Sequence, residues 1–503
     1  MVGPISSANT GAMLQNGLAL LQQGRLEEAW QALNEVVAAD PNSAMAWQLM
    51  ALILLQVGQT QDGIDLLRRS IALNPRDASA HSNLGNALRD AGQYDEALEA
   101  CERALKLNPS FVDAQLNRAN ALLDLGRPVE ALAGYDRALK RQPGNVKLHN
   151  NRGNALRALN RNGEAAAAFD LAVAAQPGVA EIHANRGFAR LASGDYLGGF
   201  EQFEWRWKHE RMQAYLQSRN FDRPFWRGEE PLAGKTLLLH SEQGFGDILQ
   251  FCRYGALAAE AGATVVIEVE EPLVALMRSL PGISQVIELG QSLPPFDLHC
   301  PLMSLPFAFR TTLETIPLNV PYLFADPQRV KVWSGRLGPK TNPRVGLVWS
   351  SGVRPDQPEL KAINGRRNIP LSMLAAFKGL PVEFHSLQKG QPAEGDLDAL
   401  DQPSWDGPPI VNMAADIGDF SDTAALIENL DLLVTVDTST AHLSGALGKP
   451  TWIMNRFDAC WRWSPMGPDS VWYPSVRQFR QPHIGDWSSV LAEVRAALAE
   501  RFA

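Results

Sequence analysis

Two junctions between an apolar run and a predicted helix carry residues whose types could do chemistry. The first lies within His240–Phe251, where Gly244 and Gly246 leave room for the backbone to approach a ligand closely. Asp247 follows in the first turn of the helix, at the mouth of the predicted sheet. An aspartate at a helix start is also a common N-cap, so a structural role stays open beside a functional one.

The second junction, Val434–Trp452, has the composition of an anion site. Asp437 ends a buried run, and the hydroxyl residues Thr438 and Ser439 open a helix. Unpaired amides at a helix N-terminus, together with hydroxyl groups, suit a diphosphate. His442 lies in the first turn of this helix, where it could contact phosphate or ribose or simply occupy a helix face.

The elements around these junctions have the pattern of α/β structure. Apolar runs such as Lys235–His240 and Thr264–Val269 alternate with helical stretches such as Gly246–Gly262. A second unit of this kind begins at Arg344–Ser350 and ends with an amphipathic helix near residues 487–502. Such alternation indicates parallel sheets covered by helices. We therefore predict two Rossmann-like halves with a cleft between them and ligands at the carboxyl ends of the strands.

The N-terminal part of the chain contains an internal repeat of 34 residues. Four series of residues recur in one register: a proline, a small residue, a glycine at a turn and a second small residue. The series are Pro41, Pro75, Pro109, Pro143 and Pro177; Gly17, Ala51, Gly85, Ala119, Gly153 and Gly187; Gly24, Gly58, Gly92, Gly126, Asn160 and Gly194; and Ala29, Gly63, Ala97, Ala131, Ala165 and Gly199. Interleaved series at one period predict a repeated supersecondary unit that stacks on its neighbours.

Each series has a physical reason in a helix–turn–helix unit. Small residues are expected where two helices cross closely, and the turn series ends the first helix, where left-handed backbone is needed. Asn160 interrupts the glycines of that series, and asparagine is the next-best residue in left-handed backbone. The sixth unit has Arg211 in place of the proline and an aromatic-rich segment before it. We interpret this unit as a terminal repeat altered to pack on the C-terminal part of the chain.

The period and the four series resemble the tetratricopeptide repeat, a helix–turn–helix unit. The resemblance implies a curved solenoid whose concave surface holds a peptide or protein. Asparagines on the first helices are similar to the ladder with which O-GlcNAc transferases hold an extended peptide; they are Asn83, Asn86, Asn117, Asn120, Asn151 and Asn154. An amide offers both a donor and an acceptor to a peptide group, whereas the alternative is a solvated polar helix face.

The two junctions resemble the heptosyltransferase family of GT-B glycosyltransferases, family 9, through Gly246–Asp247 and the run Asp437–His442. More closely, the chain resembles bacterial proteins in which tetratricopeptide repeats precede such a domain. The resemblance implies that Asp247 is the general base for the acceptor hydroxyl. It also implies a donor site that needs no metal, bordered by Gly244, Gly246, Arg366, Arg367, Gln388, Asp437, Thr438, Ser439 and His442.

Some positions depart from the pattern of that family. Ser439 stands where heptosyltransferases have glycine, and Arg366 and Arg367 stand near the place of their phosphate-binding lysine. A guanidinium can bind phosphate through two hydrogen bonds. The catalytic signatures of the O-GlcNAc transferases are missing. The identity of the donor is therefore not inferred from either family. The cluster Trp461–Trp463 is interpreted as interdomain packing, with a sugar-stacking platform as the alternative.

Composition narrows the classes of function. With 45% hydrophobic and 20% charged residues, the chain is an ordinary globular protein, and a net charge of −9 disfavours a nucleic-acid partner. No apolar stretch is long enough to span a membrane, and we expect no secretory signal. Four dispersed cysteines favour a reducing, cytoplasmic location. No histidine or cysteine spacing suits a metal, and we expect no metal or cofactor.

We divide the chain into a solenoid of about six repeats over residues 10–215, a linker at 216–233, an acceptor-side half at 234–325, a linker at 326–343 and a donor-side half at 344–503. The predicted function is inverting transfer of a sugar from a nucleotide-sugar to a hydroxyl, on a protein presented by the solenoid. Two alternatives stay open. One is a catalytically inactive scaffold that binds protein partners, and the other is a cell-envelope glycan as the acceptor.

Overall fold

The computed structural model describes residues 7–242, 244–352, 365–391, 393–401, 405–463 and 467–503. The described residues form two compact units. The first extends to Leu159 and includes Ala167–Pro177, and the second comprises Asn160–Ala166 and Gly178–Ala503. The sixth repeat and the α/β region therefore fall in the same unit.

The first unit consists of helices joined in pairs by short turns. Its apolar core is made of small and aliphatic side chains from successive helices, among them Leu33, Leu49, Ile64 and Leu67. The helices are Ser7–Gln22, Leu26–Ala39, Ala44–Gln56, Thr60–Leu73, Ala78–Asp90, Tyr94–Leu107, Val112–Asp124, Pro128–Leu139, Val146–Ala158 and Asn162–Ala175, the last of which begins in the second unit.

The turn series adopts the backbone conformation that its residues predict. Every member of the series has a positive φ, between 57° at Asn160 and 90° at Gly194. This left-handed backbone costs glycine nothing and asparagine little. The first helix of each pair therefore ends where the 34-residue register places it.

The small-residue series marks the sites where the helices of a pair approach most closely. A Cβ atom on Gly85 would lie 2.3 Å from Sγ of Cys101, and one on Gly153 would lie 2.6 Å from the ring of Phe169. Both distances are shorter than van der Waals contact, so only glycine fits. The predicted reason for the series, close crossing of two helices, is confirmed.

A further periodic contact had no counterpart in the predictions. For the first four prolines of the series, the side chain six residues later hydrogen-bonds to the carbonyl oxygen of the proline, at 2.7–3.1 Å. The pairs are Trp47 with Pro41, His81 with Pro75, Gln115 with Pro109 and His149 with Pro143. The contact fixes each of these four inter-repeat loops, and it escaped prediction because three different residue types perform it.

The second unit begins with the last repeat and continues into the α/β region. Tyr196 and Phe200 of that repeat pack edge-on against Trp461, with ring centroids 6.1 and 5.6 Å apart. The helix Glu210–Arg219 crosses the predicted boundary at residue 215. The other α-helices of the second unit are Ala180–Ala192, Tyr196–Phe203, Phe245–Phe251, Tyr254–Glu260, Glu271–Met277, Leu305–Ala308, Pro327–Leu337, Phe420–Glu428, Ser439–Ala446 and Trp487–Arg501.

The first sheet has four parallel strands in the order β3-β2-β1-β4. They are β1 (Thr236–His240), β2 (Thr264–Val269), β3 (Ile283–Glu288) and β4 (Leu298–Pro301). Because the strand order changes direction between β1 and β4, the residues after these two strands flank a crevice at the edge of the sheet.

The second sheet has six parallel strands in the order β10-β9-β8-β5-β6-β7. They are β5 (Arg344–Val348), β6 (Glu383–Ser386), β7 (Ile410–Asn412), β8 (Leu432–Val436), β9 (Thr451–Asn455) and β10 (Val476–Arg480). Counted from β5, this is the 3-2-1-4-5-6 order of dinucleotide-binding sheets, and its switch point lies between β5 and β8. The predicted α/β class with parallel sheets is confirmed.

Several elements differ from the predictions. The predicted helix Gly246–Gly262 is two helices, interrupted where Arg253 directs its side chain inward to buried carbonyl oxygens. The stretch after Pro370 forms a 3-10 helix, Leu371–Phe377. Strands β7 and β10 were not predicted, because β7 has only three residues and β10 alternates with polar side chains.

Candidate functional site

Asp437 lies directly after β8, at the switch point of the second sheet. Its Oδ1 accepts a hydrogen bond from Nε1 of Trp463 at 2.8 Å, and Nε of Arg367 lies 3.6 Å from its Oδ2. Burial raises the pKa of this carboxyl, but the charge of Arg367, the hydrogen bond from Trp463 and further nearby charges together outweigh burial and hold the pKa of Asp437 below its ordinary value. Asp437 is thus an ionised carboxylate that orients two neighbouring side chains.

The helix Ser439–Ala446 begins at this carboxylate. Thr438 occupies the N-cap, but its side chain bonds to no amide of the first turn. Its hydroxyl instead lies 3.1 Å from the hydroxyl of Thr435. The amides of the first turn are consequently not capped by a side chain, as an anion-binding helix terminus requires.

His442 is buried one turn into that helix, with 4% of its surface exposed. Its Nδ1 lies 3.0 Å from the hydroxyl of Tyr473, and its ring packs at 4.8 Å from Trp463. Burial lowers the pKa of His442 to about 3, so the ring is neutral. A Cβ on Gly246 would come within 2.9 Å of Cδ2 of His442, so the glycine allows the two junction helices to pack closely.

Asp247 is held by an arginine from the opposite half. Nη2 of Arg462 donates to its Oδ1 at 2.5 Å, and both side chains are largely buried. Gly244 precedes this helix as its N-cap residue, in extended backbone. The two junctions that sequence reasoning selected are therefore brought together, and Arg462 links them.

Arginines outnumber aspartates among the described residues of the ion-pair network around Asp437 and Asp247. Arg366 lies 3.4 Å from Asp458, which also lies 3.4 Å from Arg456. Burial and the charges of two neighbouring arginines lower the pKa of Arg456, although Asp458 opposes the shift. The cluster contains five arginines and three aspartates: Arg366, Arg367, Arg456, Arg462 and Arg480 with Asp247, Asp437 and Asp458.

Gln388 has a different environment from that predicted for a donor ligand. Its Oε1 accepts hydrogen bonds from the amides of Trp349 and Ser350 at 3.1 and 2.9 Å, and its Nε2 donates to the carbonyl of Ser350 at 3.1 Å. The amide therefore ties the end of β5 to the end of β6. A role in donor binding stays a prediction, and the side chain has little capacity left for it.

The predicted asparagine ladder makes several contacts within the first unit. Asn117 donates to Ser82 of the preceding repeat at 3.1 Å, and Asn151 donates to Asn120 at 2.8 Å. Asn120 also accepts from the hydroxyl of Tyr135 at 2.7 Å. These bonds link successive repeats and give the asparagines a structural role beside the predicted one.

The other three positions of the ladder are partly buried. Asn86 donates to Asp90 at 3.3 Å, and Asn154 accepts from Arg157 at 3.4 Å. Asn83 makes no side-chain hydrogen bond to any residue that the structure describes. Peptide binding by the ladder stays a prediction, and Asn83 is its least committed member.

A buried ion cluster, missed by sequence reasoning, adjoins the first junction. Arg206, which follows the last repeat, donates to Glu204 and Glu242 at 2.6 Å each and to the hydroxyl of Ser304 at 2.8 Å. Burial raises the pKa of Glu242 to about 7, although Arg206 opposes the shift. Since Glu242 lies in the loop after β1, Arg206 fixes the loop that leads to Asp247.

The aromatic cluster Trp461–Trp463 is packed. Trp461 has 5% of its surface exposed and Trp463 none, and their neighbours are aromatic side chains of the same unit. Packing is thus the interpretation that the burial favours, and Arg462 is the member that reaches the candidate site. Among the described residues, no helix is long and apolar enough to cross a membrane.

Family models identify the repeats. Tetratricopeptide-repeat models match residues 9–47, 78–111 and 116–180. The N-terminal helices are tetratricopeptide repeats. Stacked repeats of this kind create extended concave binding surfaces, a feature typical of protein-interaction scaffolds.

A curated relative that the chain matches is Protein FlbA of Caulobacter vibrioides, 28% identical over 338 residues. The match covers 62% of this chain and 53% of FlbA, so the chain spans about half the length of that relative. The described repeats end before residue 209 and occupy about two fifths of the chain, so the match extends into the α/β region.

Solved structures with similar helices include PilW, a type IV pilus biogenesis factor, with a TM-score of 0.39 and 17% identity over 42% of this chain and 100% of PilW. PilF of Pseudomonas aeruginosa has a TM-score of 0.36 and 19% identity over 42% of this chain and 97% of PilF. The protein MamA has a TM-score of 0.30 and 23% identity over 33% of this chain and 92% of MamA.

Proposed function

We propose that the α/β region is an inverting glycosyltransferase of GT-B type that transfers a sugar from a nucleotide-sugar to a hydroxyl group. The observation that carries the proposal is the cluster of five arginines and three aspartates at the switch point of the second sheet, beside an uncapped helix N-terminus. A bound diphosphate would place negative charge beside Arg367 and the uncapped helix N-terminus. Ligands of open α/β sheets bind at this place.

In the proposed step, the acceptor oxygen forms a bond to the anomeric carbon of the sugar while the bond from that carbon to the diphosphate breaks. The acceptor proton passes to Asp247, and the leaving nucleoside diphosphate keeps the electron pair. Arg367 and the N-terminus of the helix Ser439–Ala446 stabilise the negative charge that develops on the diphosphate. Such stabilisation is usually the largest contribution to catalysis.

Arg462 connects donor binding to the base. Its Nη2 lies 2.5 Å from Oδ1 of Asp247, so the guanidinium occupies the oxygen that would face the acceptor hydroxyl. A diphosphate competes with Asp247 for the guanidinium because phosphate oxygens also accept paired hydrogen bonds. We infer that donor binding draws Arg462 away and releases Asp247 for the acceptor.

The acceptor that we propose is a protein held by the repeats. Repeats that bind protein partners precede a candidate transferase region in the same chain, so a protein bound by the repeats could serve as its acceptor. Asn83 is the most informative position because no described residue occupies its amide. Asn83→Ala should weaken binding of a protein acceptor several-fold and leave a glycan acceptor unaffected.

The donor site is tested by calorimetric titration of the full chain with UDP-, GDP-, ADP-, CMP- and dTDP-linked sugars. We expect one saturable binder, with affinity reduced about ten-fold or more in Arg367→Ala, since a charged hydrogen bond contributes about 1.5–3 kcal/mol. Arg278→Ala, which removes an exposed arginine elsewhere in the unit, is the matched control. A folded protein that binds no member of the panel would contradict the proposal.

One observation favours a second function, a scaffold whose α/β region binds a nucleotide without turnover. The ion pair between Arg462 and Asp247 leaves the predicted base already occupied. Asp247→Asn separates the two functions. If the aspartate is the base, this variant binds donor and loses transfer; if the region is a scaffold, the variant retains every cellular activity of the wild type.

A further inference from the structure

A cavity of about 590 Å³ lies in the first unit, far along the chain from the candidate transferase site. It is formed by parts of three successive helices and the loop after the first of them, with Leu105, Pro109 and Gly134 as its apolar part. Its volume falls within the range of about 300–1,000 Å³ that is usual for ligand sites. The remaining lining is dominated by positive charge.

Four basic side chains line this cavity, and no acidic residue does: Arg118, Arg137, Lys140 and Arg141. Arg118 is paired with Glu102 at 2.9 Å. Arg137, Lys140 and Arg141 are exposed and make no ion pair or side-chain hydrogen bond with any residue in the described ranges. Three uncompensated cations at one cavity are unusual in a chain whose net charge is −9.

The cavity is distinct from the asparagine ladder. Gln115 and Arg118 line the cavity three residues apart on the helix Val112–Asp124, whereas Asn117 and Asn120 form another such pair. Residues three apart share a helix face, and neighbours in sequence point about 100° apart. The two sets therefore occupy different faces of one helix, so a ligand in the cavity would leave the face of Asn117 and Asn120 open.

We propose that this cavity, which we call the basic cavity, binds an acidic segment of a partner protein. The three unpaired cations are complementary in charge to carboxylates. The apolar wall formed by Leu105 and Pro109 accommodates the aliphatic parts of glutamate side chains. A protein is the favoured polyanion because the cavity lies between tetratricopeptide repeats, which are protein-interaction modules. The proposal does not depend on the transferase activity of the α/β region.

The repeat itself supplies a matched control. Arg103 and Lys106 stand 34 residues before Arg137 and Lys140, so they occupy the same positions of the preceding helix. Both are exposed and make no ion pair within the described part of the chain, yet neither lines the basic cavity. The double variants Arg137→Glu/Lys140→Glu and Arg103→Glu/Lys106→Glu change net charge equally.

The experiment measures binding of the full chain to a fluorescein-labelled dodecapeptide of alternating glutamate and serine, by fluorescence anisotropy. We expect saturable binding that weakens with added salt, as exposed charge pairs do. A peptide with glutamine in place of glutamate should bind at least about ten-fold more weakly. The Arg137→Glu/Lys140→Glu variant should lose at least about ten-fold in affinity, and the control variant should change by less than about two-fold.

Three results would overturn the proposal. Equal losses in both double variants would show general attraction to a basic surface. Equal affinity for the glutamate and glutamine peptides would show that carboxylates are not recognised. Tighter binding of a single-stranded oligothymidine than of the glutamate peptide, lost in the cavity variant alone, would assign the cavity to nucleic acid.

Discussion

Acidification should destabilise the second unit through a pair of buried histidines at the carboxyl end of the first sheet. Nδ1 of His299 lies 3.2 Å from Nε2 of His240, whose own Nδ1 lies 3.0 Å from the hydroxyl of Tyr215. Arg219 and Glu268, which form an ion pair, complete the charged surroundings. Burial and the charge of Arg219 lower the pKa of His299 to about 4, from an ordinary value of 6.5.

The sign and size of the effect are set by proton linkage. Between pH 6.5 and 4 the unfolded chain binds a proton at His299 that the folded chain does not, so stability falls as pH falls. With these two pKa values, the free energy of unfolding decreases by about 2 kcal/mol between pH 7.5 and pH 5, and by about 3 kcal/mol at full protonation. His240 acts in the same direction, because burial also lowers its pKa.

The assay is denaturant unfolding followed by tryptophan fluorescence, since all tryptophans except Trp30 and Trp47 lie in the second unit. The slope of stability against pH should diminish in His299→Gln, which cannot take up a proton. His483→Gln, an exposed histidine in the same unit, is the control and should keep the wild-type slope. An unchanged slope in His299→Gln would refute the reasoning.

Three further substitutions test the packing. Gly85→Ala should destabilise the first unit by about 1–3 kcal/mol, because its Cβ meets Cys101, and adding Cys101→Ala should restore part of the loss in thermal unfolding. Arg253→Met should cost the second unit about 3 kcal/mol in urea unfolding, because four hydrogen-bond partners lose their donor, whereas exposed Arg278→Met should cost about 0.5 kcal/mol or less. Asp77→Ala should cost about 1 kcal/mol by removing an N-cap; no change in circular-dichroism melting would contradict this.

The features predicted from sequence are those that local chemistry determines. Asn160 could be placed in left-handed backbone because its position in the period and its residue type both require it. The two junctions could be placed at carboxyl ends of parallel strands because Asp247 and Asp437 each follow an apolar run. The register of the repeat determines the first feature, and residues that are neighbours in sequence determine the second.

The features that escaped prediction depend on distant pairs. Arg462 and Asp247 are 215 residues apart, and no periodicity or spacing connects them. Gln388 was predicted to border a ligand from its place after β6, but its amide bonds the end of β5, a partner set by the sheet order. Sheet order is a tertiary property, so a side chain's partners across it cannot be read from the strand pattern alone.

The central claim is that the α/β region transfers sugar with Asp247 as the base. The direct measurement is the release of nucleoside diphosphate from the donor selected by calorimetry. The full chain is mixed with this donor and with protein extract from cells that lack the full chain. We expect release that matches incorporation of sugar into protein, and loss of this release in Asp247→Asn at unchanged donor affinity. Donor binding with no release by the wild-type chain, or equal release by Asp247→Asn, would contradict it.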